Sequence, residues 1–291
     1  MKEKRTARRP EELSLKIWEA ILYGITGGLT EVLPISFAGH TALLRGVFNL
    51  SSLNEGNGLY VRAAICLGVL LAVILAFRTE TFVTGRTLLT MTGGSPRRRR
   101  KDAAQRRSVF MGAVAFVPML LSFLFTAFAE RIERLSLVAA FFALNGLVIY
   151  LCFRSAAGHK DGRNVTVPDV LLLGLARAAC VFPGLSPIAA SMSVGRVCGL
   201  SGQYDLRLCY QLTVAYQLAA FVYRIIRAFA FGSFSGATLL MMLLAAVFAT
   251  VFGYLAIQYL RYLLQKEKFN VFSYYCWDVV AIALIVALIN A

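Results

Sequence analysis

The chain alternates long apolar runs with short polar interruptions. Six runs are each close to the length of a bilayer crossing, at positions 59–77, 108–129, 135–153, 208–226, 237–264 and 272–289. Crossing the hydrocarbon core takes about 20 residues of helix. The pattern therefore predicts an all-α integral membrane protein with six transmembrane helices.

Two further pairs of apolar segments are too short to cross, and a polar break separates the two members of each pair. The first pair is 15–29 and 36–50, and the second is 167–182 and 188–200. Non-helical backbone at membrane depth survives only where protein or a water-filled cavity supplies its hydrogen bonds. We therefore interpret each pair as a re-entrant hairpin that enters and leaves on the same side.

The order of elements repeats along the chain, because each half is a hairpin followed by three spans. We expect an extramembrane tail at 1–14, a first repeat at 15–155 with its hairpin at 15–50, and a second repeat at 156–291 with its hairpin at 166–200. Since three spans is an odd number, the second half must run inverted relative to the first. Inverted repeats whose broken helices meet near the midplane are a recurrent way to bind a charged group.

Composition and charge agree with a membrane protein and argue against nucleic acid as a partner. Of 291 residues, 58% are hydrophobic and 15% are charged, whereas soluble domains carry about a quarter charged residues. The net charge of +15 collects in loops, above all in "SPRRRRKDAAQRR" at 95–107. Basic loops beside spans face the cytoplasm, which places both termini outside, although the basic N-terminal tail departs from this rule. No recognition fold accompanies the arginines.

Cysteines and the N-terminus add no further function class. The six cysteines lie singly in apolar runs without a Cys-x-x-Cys pair, so they support neither a metal site nor a disulfide framework. We interpret them as small packing residues. The N-terminal tail is basic but contains acids, and no small-residue cleavage site follows, so we expect a tail and not a cleaved signal.

The polar residues of the two breaks form the candidate site. Glu31 and His40 flank the first break, Ser36 lies within it, and Ser186 follows Gly184 in the second. Ionisable groups at membrane depth cost about 2.5–3.5 kcal/mol on insertion scales, so their presence needs a reason. Helix arms that begin after a break present free N–H groups and the positive end of the dipole, which hold phosphate or carboxylate. We expect an anionic headgroup site there, although both serines could also be ordinary helix caps.

The first break, "GGLTEVLPISFAGH", resembles the motif E-G-L-T-E-F-L-P-V-S-S-T-G-H of the undecaprenyl-diphosphatase family, also called the bacitracin-resistance family. The second, "PGLSPIAAS", resembles that family's P-G-x-S-R-S-G-A-T, and the C-terminal "FGYLAIQYLRYLLQKEKFNVFSYY" is similar to its last spans. The resemblance covers most of the chain.

The resemblance implies an activity and a set of residues. Enzymes of this family remove one phosphate from undecaprenyl diphosphate at the outer face of the bacterial plasma membrane, for cell-wall synthesis, generally with a divalent cation such as Mg²⁺ or Ca²⁺. Carried over by position, Glu31, Ser36 and His40 would be catalytic, with Glu31 also the candidate metal ligand. Ser186 and Gly184 would bind phosphate.

The chain departs from the family at four positions. The first family glutamate is Gly27, the second motif serine is Phe37, the arginine of the second hairpin is Pro187, and the serine after it is Ile188. An apolar ring cannot attack phosphorus, and proline cannot neutralise phosphoryl charge.

Other residues of the hairpins could compensate for these losses. Arg45 and Arg196 lie on the second arms and are candidates for the lost positive charge. Arg196 is the weaker candidate, since nine residues of helix separate it from Pro187, or about 13 Å. His40 could act as the nucleophile, with Glu31 orienting it.

Three interpretations stay open at this point. The first is a phosphatase with a remodelled site, acting on a polyprenyl diphosphate. The second is an inactive relative that binds or transports a lipid phosphate, for which an inverted repeat is well suited. A scaffold without a ligand is a third. The expected partners are a polyprenyl (di)phosphate and membrane lipids, and the sequence leaves a homodimer open.

Overall fold

The computed structural model describes residues 15–90, 103–132, 134–156 and 158–289. Its regular structure within these ranges is helical, and six helical segments are long and apolar enough to cross a membrane. This confirms an all-α, multi-pass membrane protein. The helices are α1 (Ile17–Val32), α2 (Phe37–Phe48), α3 (Gly58–Ala76), α4 (Arg78–Leu89), α5 (Ala103–Met119), α6 (Leu121–Ala129), α7 (Leu135–Phe153), α8 (Val167–Ala179), α9 (Pro187–Val197), α10 (Gly202–Phe231), α11 (Gly236–Gln265) and α12 (Val271–Ile289).

Most helices lie where the apolar pattern predicts them. Helix α7 matches the predicted segment at both ends, and α10 extends beyond its predicted segment by a polar stretch at 202–207 and by five residues at its C-terminal end. The apolar pattern does not predict α4, a polar helix between the spans at 59–77 and 108–129. The span at 103–129 is interrupted near Pro118, since proline lacks the N–H that would continue the helical ladder. The predicted tail at 1–14 lies outside the described residues.

The two short pairs are hairpins that open at opposite ends of the helix bundle. Around α1 and α2, Leu15 N donates to Asn57 Oδ1 at 2.8 Å, and Tyr23 Oη donates to the carbonyl of Ser51 at 2.8 Å. Both outer ends of hairpin one therefore lie beside the start of α3, at what we call the Asn57 end.

Hairpin two, formed by α8 and α9, opens at the other end of the bundle. Lys160 Nζ binds the Asp169 carboxylate in the first turn of α8 at 2.9 Å, and Lys160 N donates to the carbonyl of Gly199, just beyond α9, at 2.9 Å. We call this the Leu200 end. The relation of the two halves as inverted copies stays a prediction, as do the repeat boundaries.

Close packing of α1 against α11 fixes the depth of hairpin one. A Cβ atom added at Gly24 would lie 2.7 Å from the carbonyl oxygen of Ala245, and one added at Gly28 would lie 2.6 Å from that of Ala249. Small residues let helix backbones approach each other in membranes. The same contact positions Glu31, which follows Gly28 by less than one turn of α1.

Candidate functional site

The tips of the two hairpins meet inside the bundle and are joined by hydrogen bonds. Ser36 Oγ accepts from Gly184 N of the other hairpin at 2.9 Å and from Gly39 N at 3.2 Å, as the N-cap of α2. Ser186 Oγ donates to the carbonyl of Leu33 at 3.3 Å and caps α9 through Ala189 N. Each cap serine thus also contacts the opposite hairpin.

Neighbouring spans satisfy the remaining backbone groups of the two breaks. Asn145 of α7 donates from Nδ2 to the carbonyl of Pro34 at 3.1 Å, and its Oδ1 accepts from Ser186 N at 2.9 Å. Tyr210 of α10 donates to the carbonyl of Val32 at 2.8 Å. The non-helical backbone therefore has the protein partners that membrane depth requires.

Gly184 has a backbone conformation that a side chain would disturb. Its φ of +111° lies in the left-handed region, which favours glycine. A Cβ there would lie 2.7 Å from the carbonyl oxygen of Val138. In this conformation the N–H of Gly184 donates to Ser36 Oγ, and this hydrogen bond joins the two tips.

A cavity of about 520 Å³ lies beside the joined tips and is lined mostly by residues near the Asn57 end. Glu31, Ser36 and Pro187 line it near the tips. Arg45 and Arg134 line it near the Asn57 end, where α2 finishes and α7 begins.

Charged residues of three different spans line or border the cavity. Glu130, which follows α6, receives Arg62 Nη1 of α3 and Arg227 Nη1 of α10, each at 2.9 Å. Burial opposes ionisation of Glu130, but these two guanidinium groups outweigh it and hold the pKa of this carboxyl below its usual value. Glu130 is therefore ionised and already engaged on both oxygens.

Glu31 and Arg224 lie deeper in the same cavity. Gln217 Nε2 of α10 donates to Glu31 Oε2 at 2.9 Å. Arg224, two turns further along α10, donates from Nη1 to the thiol sulfur of Cys66 on α3. Arg224 also interacts electrostatically with both Glu31 and Glu130.

His40 lies at the tip but does not line the cavity. Its Nδ1 contacts the carbonyl oxygen of Ser36 at 2.6 Å, and its Nε2 contacts Tyr275 Oη of α12 at 2.7 Å. A carbonyl can only accept, so Nδ1 carries the proton and Nε2 accepts from the tyrosine. The expected arrangement in which Glu31 orients His40 therefore differs from the observed one.

The structure separates the other residues that the sequence singled out. Of the two candidate arginines, Arg45 lines the cavity, whereas Arg196 lies at the Leu200 end, where its Nε donates to the carbonyl of Ser155 at 2.7 Å. Ser186 is fully buried beneath the cavity. Phe37 is among the residues that line the cavity, and Gly27 packs against the Ile65 side chain.

Sequence reasoning missed the charged residues that the spans bring to the cavity. Arg62, Glu130 and Arg224 lie inside or at the ends of segments that the pattern predicts as apolar spans. The available signal was the cost of a charge at membrane depth. The signal applies to the long spans as it does to the hairpins.

Among the residues that line the cavity, one carboxylate is available to bind a divalent cation. In the part of the chain that the structure describes, no three His, Cys, Asp or Glu side chains group together as metal ligands, and Glu130 is engaged by two arginines. Mg²⁺ is commonly held by one or two carboxylates together with substrate phosphates and water. Glu31 fits that role only when phosphate oxygens complete the coordination.

Comparison with known proteins identifies the family. A family profile described as "Bacitracin resistance protein BacA" matches residues 20–283. Undecaprenyl-diphosphatase of Methanobrevibacter smithii is 30% identical over 272 residues, covering 91% of this chain and 95% of the relative. Proteins of the same name from Rubrobacter xylanophilus and Carboxydothermus hydrogenoformans are 29% and 26% identical, covering 92% and 89% of this chain and 97% and 93% of the relatives. The chain therefore belongs to the bacitracin resistance protein BacA family.

Proposed function

We propose that this chain is a membrane phosphatase that converts a polyprenyl diphosphate to the monophosphate, in the bacterial plasma membrane. The observation that carries the proposal is the cavity at the joined hairpin tips, which combines Glu31 with arginine side chains at membrane depth. A lipid phosphate headgroup has the negative charge that this lining matches, and the prenyl chain can remain in the bilayer. The names of the relatives favour hydrolysis over binding or transport alone.

The reaction needs positioning and charge stabilisation more than covalent chemistry. Water attacks the terminal phosphorus in line with the bridging oxygen, the bond from that phosphorus to the bridging oxygen breaks, and the bridging oxygen stays on the prenyl monophosphate. Both protons of the water leave on the released inorganic phosphate, so atoms and charge balance. Glu31 orients the water by accepting its hydrogen bond.

Ser36 and His40 act at the tip beside the reacting phosphate. The Oγ of Ser36 accepts two backbone N–H groups, which leaves its own O–H to donate to a phosphoryl oxygen. His40 holds the Ser36 peptide through its Nδ1–H and is a positioning residue. Mg²⁺ or Ca²⁺, when bound by Glu31 and the substrate phosphates, supplies further neutralisation of phosphate charge.

The experiment measures inorganic phosphate released from a prenyl diphosphate by the purified protein in detergent, with Mg²⁺ or with a chelator. We expect release by the wild type and a loss of at least about a hundredfold in Glu31→Gln, since one carboxylate orients water and holds the cation. The matched control is Glu80→Gln, because Glu80 lies by Arg207 at the Leu200 end. A wild type that releases no phosphate overturns the proposal.

A further inference from the structure

We infer that Arg62 and Arg224, which come from the spans α3 and α10 and not from the hairpins, bind the phosphate groups of the substrate in this chain. The inference rests on the proposed function, since it names the groups that hold the diphosphate. It also accounts for the loss of arginine at position 187.

Both arginines reach the cavity from the Asn57 end. Arg62 lies four residues after the start of α3 and Arg224 seven residues before the end of α10, or about 6 Å and about 10 Å along their helices. They line the same cavity as Glu31 and Ser36. A diphosphate whose terminal phosphorus lies at the hairpin tips extends toward these guanidinium groups.

The two arginines lie in a cavity whose lining has more positive than negative charge. Among the described residues that line the cavity, four arginines face two glutamates, so the lining is net positive. Arg62 donates to the neutral Asn54 Oδ1 and shares Glu130 with Arg227, and Arg224 Nη1 donates to the thiol of Cys66. Buried charges need paired partners, and an anion in the cavity supplies them.

An unsatisfied buried donor also points to an occupant. The Nε atom of Arg62 is buried and has no hydrogen-bond partner among the described residues. Guanidinium groups bind phosphate through paired N–H donors. A phosphate oxygen beside Arg62 would give this donor its acceptor.

Hairpin two has no arginine at its tip that could bind the phosphate groups. Pro187 is the first residue of α9 and lines the cavity, so the position is close to the substrate but carries no charge. Arg177, the buried arginine of α8, is bonded to Ser191 Oγ at 2.8 Å and Thr213 Oγ1 at 3.1 Å and does not line the cavity. Hairpin two therefore offers no guanidinium at the tips.

The test measures binding without hydrolysis. The probe is a prenyl diphosphonate in which a methylene group replaces the bridging oxygen, titrated calorimetrically into the purified protein. We expect Arg62→Gln and Arg224→Gln each to weaken binding about tenfold or more, the loss typical of a charge-assisted hydrogen bond. Arg207→Gln is the matched control, because it removes the same charge from the other end of α10, where Arg207 is 59% exposed. Wild-type affinity in both cavity variants overturns the inference.

Folding is controlled with conservative variants. Arg62→Lys and Arg224→Lys keep the charge but lose the paired donors, so we expect about threefold weaker binding in each. If the glutamine variants do not purify as folded protein, unchanged binding by both lysine variants overturns the inference. Methylenediphosphonate, a probe without the prenyl chain, tests whether the arginines recognise the headgroup itself. If they do, the ratio of the variant to the wild-type dissociation constant should be the same for this probe as for the prenyl diphosphonate. Equal binding of methylenediphosphonate by all variants counts against recognition of the headgroup.

A rescue experiment separates this inference from the proposed function. Adding Pro187→Arg to Arg62→Gln/Arg224→Gln returns a guanidinium to the cavity from hairpin two, and we expect it to restore at least part of the lost affinity. Failure of the wild type to release phosphate would remove the proposed function, while the binding ratios would still decide the inference.

Discussion

The two hairpins share a design but differ in what they present to the cavity. Each has a short helix, a break and a serine that caps the next helix. Hairpin one places Glu31 and Ser36 on the cavity, whereas hairpin two places Pro187 there and buries Ser186 completely. Both cap serines are almost completely buried, but Ser36 lines the cavity and Ser186 does not, which implies that hairpin one carries the chemistry and hairpin two supports it.

The largest expected difference between the hairpins comes from removing each cap hydroxyl. Ser36→Ala leaves two N–H groups without an acceptor, including Gly184 N of the other hairpin, and removes the donor to phosphate. We expect phosphate release to fall about a hundredfold, as for the loss of a transition-state hydrogen bond. Ser186→Ala removes one N-cap, which costs about 1 kcal/mol of stability, and the long hydrogen bond to the carbonyl of Leu33, and we expect about a fivefold fall.

Both variants are compared by phosphate release and by thermal unfolding in the same detergent. The stability measurement matters because a distorted tip also lowers activity. Equal losses of activity in the two variants would contradict the division between the hairpins. A larger loss in Ser186→Ala would reverse it.

The sequence predicts the hairpins because a polar break between two short apolar arms can be recognised from the order of residues alone. Both breaks lie within a few residues of their predicted positions, and Glu31 and Ser36 of the first break line the cavity. His40 was placed in the same group, yet it faces α12. The face of a helix on which a residue lies depends on which neighbours pack there, and the sequence does not give those neighbours.

The cationic part of the cavity was harder to predict for a related reason. Arg62 and Arg224 are about 160 residues apart in sequence, and only the packing of α3 on α10 brings them to one cavity. A single charge within an apolar run can equally pair at an interface, as Arg227 does with Glu130. Which role applies follows from the three-dimensional arrangement.

The next largest effect is expected at Asn145, which contacts both hairpins. Asn145→Leu fills similar space but leaves the carbonyl of Pro34 and the N–H of Ser186 without their partners. Buried polar groups without partners cost about 1–3 kcal/mol each. We expect thermal unfolding at a markedly lower temperature and loss of binding of the diphosphonate probe.

Ser193 provides a control for Asn145. It is also buried and polar, but its Oγ has no hydrogen-bond partner among the described residues. Ser193→Ala should therefore leave the unfolding temperature nearly unchanged. If Asn145→Leu unfolds no earlier than this control, the bridge across the two breaks does not hold the hairpins together.

The smallest expected effect concerns only hairpin one. Tyr275→Phe keeps the ring stacked on His40, with centroids 5.8 Å apart, but removes the hydroxyl that donates to His40 Nε2. The loss of one hydrogen bond costs about 0.5–1.5 kcal/mol, so we expect phosphate release to fall about threefold because Ser36 is held less firmly. If His40 were instead the nucleophile, removing the hydroxyl would free Nε2, and acid-labile phosphohistidine should accumulate with labelled substrate. We expect no such label in either the wild type or Tyr275→Phe, because His40 does not line the cavity.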